Sequence, residues 1–260
     1  MNTWSIIRTP HLTRELLIAL LKNEIGAICI PSFASDEVCQ KAVRAIYAYG
    51  IDYYKDKHPK VGKVGITQSE HKHNLAEKEE YFAKVPAANQ GLQTIFDGNR
   101  NLLSDVIDSV RSAWGENVGI AFEESLQKPY FAGLVRVINR AMLHYDWAPL
   151  YNMGWQTDSI VAQLTWNIYL QVGARGGTTR VFQHYGRKAD LQYITTGGYF
   201  DSRVIDGMDF IEIVPEQGEL VFFNSRNYHE VEQTEGAEER ITFSSFIGLL
   251  GKTGRLIFWS

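Results

Sequence analysis

A mainly β protein with flanking helices is the fold class that the sequence predicts. Short apolar runs of strand length follow one another from about residue 130 onward, glycines punctuate them, and apolar spacing of helical period is concentrated ahead of that point. Many short strands separated by glycine turns imply a sandwich or a barrel. No repeat, low-complexity tract or linker-like stretch divides the chain, so residues 1–260 are expected to form one domain. Residues 1–130 should be mostly helical and residues 131–260 should form the β core.

The elements can be justified in order. Leu16, Leu17, Leu20 and Leu21 form an apolar stripe after Thr13, with Gly26 placed to stop the helix, and the apolar run Ala27 to Ile30 reads as a strand. Ser35 and Asp36 can start a second helix whose inner face is Val38, Cys39, Ala42, Val43 and Ile46, closed by Gly50. From Asp52 to about Asn74 the chain turns polar and loses any period, which predicts an irregular segment or mobile loop. Helical spacing returns at Leu102, Leu103, Val106, Ile107 and Val110 and ends near Trp114-Gly115. Strands are then expected over Leu134 to His144, Val161 to Val172, Thr179 to Gln183, Phe210 to Val214, Leu220 to Phe223 and Thr242 to Gly248.

Composition excludes several classes. A net charge of -4 and a pI near 6.0 leave no basic field to collect phosphates, so nucleic acid is not an expected partner. No apolar stretch approaches a membrane span and no leader pattern precedes the first helix, which makes a cytoplasmic protein the expectation. Cys29 and Cys39 have neither metal-binding spacing nor the density of a disulfide scaffold and read as reduced thiols.

The chemistry is carried by His144-Tyr145-Asp146, a distant His229, and Arg240. Two imidazoles and one carboxylate can occupy one face of an octahedral ferrous ion and leave the opposite face for a chelating cosubstrate and dioxygen. A two-residue spacing at the end of an apolar strand puts His144 and Asp146 on the same face of an extended chain. His229 follows the run Glu219 to Phe223 and the turn-like Asn224-Ser225, from which a closed β-fold can bring it opposite that pair. An arginine shortly beyond can grip a far carboxylate of the cosubstrate in a charge-assisted fork.

These residues lie in runs that resemble the 2-oxoglutarate-dependent ferrous dioxygenases. Gly218-Glu219-Leu220-Val221-Phe222-Phe223, Tyr228-His229-Glu230-Val231 and Arg240-Ile241-Thr242-Phe243 are similar to the C-terminal signature of that superfamily, and Leu164 to Leu170 leading into Gly176-Gly177-Thr178-Thr179 is similar to its central strand and Gly-Gly-x-Thr turn. The resemblance covers nearly the whole chain and implies a double-stranded β-helix, a distorted, cupin-like jelly roll. It implies Fe(II) held by His144, Asp146 and His229, and 2-oxoglutarate whose distal carboxylate binds Arg240, with Thr242 two residues along sharing that contact. Arg180 and Arg136, also in strand-like segments, are the alternatives to Arg240. The layout is nearest to free-standing small-molecule hydroxylases and halogenases. The halogenases carry Gly or Ala where Asp146 stands, so the resemblance implies hydroxylation of an unactivated C–H bond by dioxygen, in a small molecule such as a free amino acid or natural-product intermediate. Desaturation or cyclisation by the same iron chemistry, and a peptidyl hydroxylase of the prolyl type, are the alternatives. A non-catalytic jelly-roll binding protein sits poorly with an intact triad.

The remaining candidates have plainer readings. His71 and His73 lie in the polar segment and are expected in a solvated loop, His184 follows a strand and reads as structural or near the mouth of the site, and His11 and His58 have no partners in sequence. Trp147, Tyr151 and Trp155 either line a substrate pocket or pack the loop after the metal pair. The segments Asp52 to Asn74 and Ile194 to Gly207 are the expected lids.

Overall fold

A computed structural model describes residues 4–55, 58–151, 154–195 and 197–260. In chain order the strands are β1 (Ile6–Arg8), β2 (Ala27–Ile30), β3 (Asp52–Tyr53), β4 (Gly62–Val64), β5 (Val118–Ile120), β6 (Phe122–Glu123), β7 (Lys128–Pro129), β8 (Leu134–Val137), β9 (Ala141–His144), β10 (Ile160–Gln171), β11 (Thr179–Tyr185), β12 (Phe210–Ile213), β13 (Leu220–Phe223), β14 (Asn227–Val231), β15 (Ile241–Leu250) and β16 (Leu256–Trp259). The α-helices are α1 (Arg14–Leu21), α2 (Asp36–Tyr49), α3 (Leu75–Ile95), α4 (Leu102–Trp114) and α5 (Ala148–Tyr151). Thr13, Ser35, Asn74 and Asn101 each cap the helix that follows, accepting a backbone N–H with the side chain.

A large sheet runs in the order β1-β2-β13-β10-β15-β8-β4-β3, with β16 and β5 joined at β15, and a smaller one runs β12-β11-β14-β9. Period-two alternation gives the large sheet two different faces. Ile28 and Ile30 of β2, Leu164, Trp166 and Ile168 of β10, Leu220 and Phe222 of β13, and Ile241, Phe243 and Ile247 of β15 pack with the inner residues of α1, α2, α3 and α4. The intervening positions Ala27, Cys29, Tyr169, Val221 and Phe223 pack instead against Val181, Ile211 and Ile213 of the small sheet. The outer face of the small sheet, with Leu143, Phe182 and Tyr228, is covered by Phe200 and Val204. This is a mostly-sheet molecule with helices on one side, as the sequence predicts. No helix of the described residues is long and apolar enough to cross a membrane.

Several local expectations change. The single strand expected over Leu134 to His144 is two, because the chain leaves the large sheet at Val137 and enters the small one at Ala141. Asn139 fixes the crossing: its side chain accepts the Arg240 N–H at 2.9 Å and its carbonyl accepts that of Thr234 at 2.7 Å. Helix α1 ends at Leu21, not at Gly26; Asn23 takes the left-handed turn at φ 62°, and Gly26 serves close packing, since a Cβ there would meet Ile211 at 2.7 Å. Helix α3 has no counterpart in the sequence reading, because Pro86 and Gly91 stand inside it and its apolar spacing is weak. The segment expected to be irregular holds β3, β4 and a 3-10 turn at Gln68–Glu70. That turn folds His71 inward, with Nδ1 3.1 Å from the Thr67 carbonyl and its ring 5.8 Å from that of Tyr81; only His73 is exposed.

Cys29 and Cys39 are buried and unbridged, and burial pushes the Cys39 thiol up to about 11 and Cys29 to about 12. Gly218 at φ 78° ties α2 to the sheets: its carbonyl accepts the Ala34 N–H, its N–H donates to Tyr169, and a Cβ would lie 2.1 Å from the Ala34 carbonyl oxygen. Gly218→Ala is therefore expected to lower the unfolding free energy by at least about 1–2 kcal/mol in urea titration; an unchanged midpoint would contradict the close approach.

Candidate metal centre

The pairing of β14 with β9 sets His229 directly opposite His144, and their rings stand 4.2 Å apart between centroids. Leu143 and Tyr145 turn outward to the cluster with Tyr228, so alternation aims His144 and Asp146 inward. Asp146 follows the end of β9 and is held by its backbone. Its N–H donates to Ser225 at 2.8 Å, its carbonyl accepts from the Ser225 hydroxyl, and Gln163 of β10 links Ser225 to the Ala148 N–H. One ligand atom each from His144, Asp146 and His229 all lie within 4.8 Å of one another, with His229 Nε2 3.6 Å from Asp146 Oδ2.

Both imidazoles are prepared in the same way. His144 Nδ1 lies 2.8 Å from the Met142 carbonyl and His229 Nδ1 lies 2.9 Å from the Asn227 carbonyl, in each case two residues back on the same strand. A carbonyl only accepts, so each Nδ1 carries the proton and each Nε2 presents a lone pair to the space shared with Asp146. Burial, helped by the neighbouring His144, holds His229 well below its ordinary value, at about 3. Its imidazole is thus neutral at physiological pH, which is the form that binds a metal.

Arg240 is 4% exposed and lies just ahead of β15. Its Nε donates to the Gly177 carbonyl and its Nη2 to Thr179 Oγ1, each at 3.1 Å, while the guanidinium sits 5.0 Å from the Tyr169 ring centroid. Gly177 allows this approach, since a Cβ there would sit 3.1 Å from Arg240 Cδ at a backbone φ of 73°. No carboxylate of the described residues forms a salt bridge with Arg240, so a buried cation waits for an anion. Thr242 is fully buried on the same strand face, and its hydroxyl finds no hydrogen-bond partner. Arg180 differs: it is half-exposed and engaged by Glu212 at 2.8 Å and Glu230 at 3.8 Å.

A cavity of about 440 Å³ is lined by His144, Asp146, His229, Arg240, Thr179 and Arg136, among others; Thr242 and Arg180 are not among its lining residues. Both expected lids contribute to its wall, Tyr54, Val61, Ser69 and Lys72 from one and Ile194, Gly197, Gly198 and Tyr199 from the other. Trp155 does not reach it: it is core, against Tyr81, Phe82 and Tyr130. Trp147 faces a smaller adjoining cavity and stacks on Arg226 at 4.6 Å, and the side chain of Tyr151 lies outside the described residues. His184 stands apart, stacked on Tyr228 with Nε2 3.7 Å from Asp190. Asn139 and Thr179, which set the Arg240 backbone and side chain, were missed as site residues. Thr179 ends the Gly-Gly-x-Thr turn, so its signal was present; Asn139 gave none.

Comparison with known proteins places the chain among relatives. Residues 7–260 match the family described as carrier-protein-independent halogenase WelO5. The chain is 40% identical over 227 residues to leucinostatins biosynthesis cluster protein S of Purpureocillium lilacinum, covering 80% of this chain and 90% of that protein. It is 25% identical over 265 residues to L-gamma-glutamyl-L-propargylglycine hydroxylase of Streptantibioticus cattleyicolor, covering 99% and 97% respectively. In fold it is similar to the crystal structure of an N-substituted L-amino acid dioxygenase with alpha-ketoglutarate from Burkholderia ambifaria, at TM-score 0.63 and 17% identity over 95% of this chain and 91% of that one. It is also similar in fold to the non-heme alpha-ketoglutarate-dependent carbocyclase SnoK of nogalamycin biosynthesis, at TM-score 0.55 and 14% identity over 92% and 87%.

The depressed His229 value has a measurable consequence in metal-free protein. Below its ordinary 6.5 the unfolded chain takes up a proton that the folded chain refuses until about 3. Stability present above that range is therefore lost as pH falls through it, by up to about 1.4 kcal/mol per pH unit. Urea unfolding between pH 6.5 and pH 4 should show a shallower acid loss in His229→Phe than in wild type; parallel slopes would contradict a buried neutral imidazole.

Proposed function

We propose that this chain, which belongs to the WelO5 family of carrier-protein-independent halogenases, is an Fe(II)- and 2-oxoglutarate-dependent dioxygenase that hydroxylates an unactivated C–H bond of a small molecule. The observation that carries the reading is the cluster of His144, Asp146 and His229 beside a buried guanidinium without a carboxylate partner. We read the two packed sheets as the double-stranded β-helix of these oxygenases, in a single catalytic domain.

The residues fit the cofactors. Nε2 of His144, Nε2 of His229 and the Asp146 carboxylate would hold a ferrous ion, a donor set of two imidazoles and one carboxylate that suits it. Arg240 would receive the distal carboxylate of 2-oxoglutarate in a charge-assisted contact, and the buried, unpartnered Thr242 hydroxyl is proposed to share it. With Fe(II) and 2-oxoglutarate bound, the site supplies dioxygen activation coupled to oxidative decarboxylation of the cosubstrate to succinate, the oxidising power for C–H hydroxylation. The protein supplies orientation. The Met142 and Asn227 carbonyls fix the tautomers, the Asn139 and Thr179 contacts hold Arg240, and the two segments supply part of the cavity wall.

Asp146 supports one reading among the reactions open to the family. A halogenating site needs a metal position free for halide, and here a carboxylate occupies the third corner of the cluster. Hydroxylation is accordingly the proposed outcome, the activity named for the Streptantibioticus cattleyicolor relative. A cavity of about 440 Å³ that must also house 2-oxoglutarate suits a small molecule such as an amino-acid derivative or natural-product intermediate.

Anaerobic addition of Fe(II) and 2-oxoglutarate should give the weak visible charge-transfer band of the chelate in wild type and fail to do so in Asp146→Ala; a colourless wild-type mixture at saturation would count against the site. Arg240→Ala should raise the 2-oxoglutarate concentration for half-maximal band intensity by about tenfold or more, the loss of one charge-assisted contact worth about 1.5–3 kcal/mol. An unmoved requirement would take the distal carboxylate away from Arg240.

A further inference from the structure

A second arginine of the cavity wall has no task in the scheme above. Arg136, on β8, lies directly across from Thr242 of β15, so Arg136 and Arg240 leave neighbouring positions of one sheet face. Their side chains part from there. Arg240 is fastened at one end of the cavity by Gly177 and Thr179, whereas the Arg136 guanidinium rests 5.5 Å from the Phe246 ring centroid, toward the opposite end of β15. Arg136 also borders the smaller cavity beyond Asp146, which Arg240 does not reach. Its Nε is buried without a hydrogen-bond partner, and among the described residues its guanidinium donates no hydrogen bond and joins no salt bridge.

The two positive charges of Fe(II) and the one of Arg240 would be matched by Asp146 and the two carboxylates of 2-oxoglutarate, which leaves the cations Arg136 and Lys72 over. Asp146 is the only acidic residue among the described residues that line the large cavity, while Lys72, Arg136 and Arg240 line it as cations. A partly buried guanidinium whose Nε has no protein acceptor is stabilised by a bidentate anion. The rest of the cavity wall mixes hydrocarbon and aromatic side chains, among them Tyr54, Val61 and Phe246, with the polar Ser69, Thr165 and Asn167.

On the reading that the site binds Fe(II) and 2-oxoglutarate, we propose that Arg136 holds a carboxylate of the substrate, so that the substrate class is a carboxylic acid, gripped at the end of the cavity away from Arg240. The first guanidinium then selects the cosubstrate and the second selects the substrate. Forked hydrogen bonding fixes the direction of the bound acid as well as its presence, and hence which C–H bond faces the metal.

The test uses free, N-acylated and γ-glutamylated aliphatic L-amino acids, each beside its methyl ester, bound anaerobically to the Fe(II) and 2-oxoglutarate protein and measured by equilibrium dialysis with the chelate band recorded in parallel. Wild type should bind the best acid about tenfold or more tighter than its ester. Arg136→Gln should erase that preference with the chelate band retained, and Arg136→Lys should recover part of it. The proposal is overturned if no acid binds tighter than its ester, or if Arg136→Gln keeps the preference. It is equally overturned if Arg136→Gln loses the chelate as Asp146→Ala does, which would make Arg136 a positioning residue for the metal. A wild type that forms no chelate band would remove the iron reading itself, and this proposal with it.

Discussion

The register between β9 and β14 is the constraint on which the rest of the structure depends. Side chains alternate across a strand, so a slip of one residue would turn His144 or His229 to the outer face and break the cluster at once. The register is secured on both sides. Leu143 and Tyr228 pack outward with Phe182 and Phe200, so a slipped strand would expose these apolar side chains. The backbone carbonyls of Met142 and Asn227, on the same two strands, orient the two rings. Packing on one face thereby holds the chemistry on the other.

The large sheet plays the complementary part. Its helix-facing positions are apolar and closely packed, and its opposite positions supply Thr165, Asn167, Arg240 and Phe246 to the cavity. Helices α1 to α4 contribute none of the cavity's described lining residues; they cover the far side of the strands that do. The crossing at Asn139 couples the two sheets, because the same side chain that lets β8 become β9 also accepts the Arg240 N–H. The proposed metal corner and carboxylate corner are thus set by one turn of the chain.

Much of this was legible in the sequence, and the reasons are physical. Strands β2, β10, β13 and β15 are long in apolar and branched residues and read clearly by period. The spacing of His144 and Asp146 already placed them on one face; that Gly177 lets the backbone approach Arg240 emerges only from the structure. What escaped lay where local signals are overridden by tertiary contacts. Helix α3 carries Pro86 and Gly91 and is held by Tyr81 and Phe82 packing on Trp155 and Tyr130, which no window of the sequence reveals. The break at Asn139 depends on partners about one hundred residues away. His71 looked solvated because its neighbours are charged, yet a short turn folds it against Tyr81. Arg136 and Arg180 were indistinguishable as arginines in strands; only the pairing with Glu212 and Glu230 tells the outward one from the inward one.

The central claim is a ferrous ion held by the ring nitrogens that the Met142 and Asn227 carbonyls leave free, together with one carboxylate. Crystals grown anaerobically with Fe(II) and measured across the iron absorption edge test it most directly. The account requires a single strong anomalous peak bonded to Nε2 of His144, Nε2 of His229 and a carboxylate oxygen of Asp146. A peak on Nδ1, at another cluster, or absent from fully loaded crystals would contradict it.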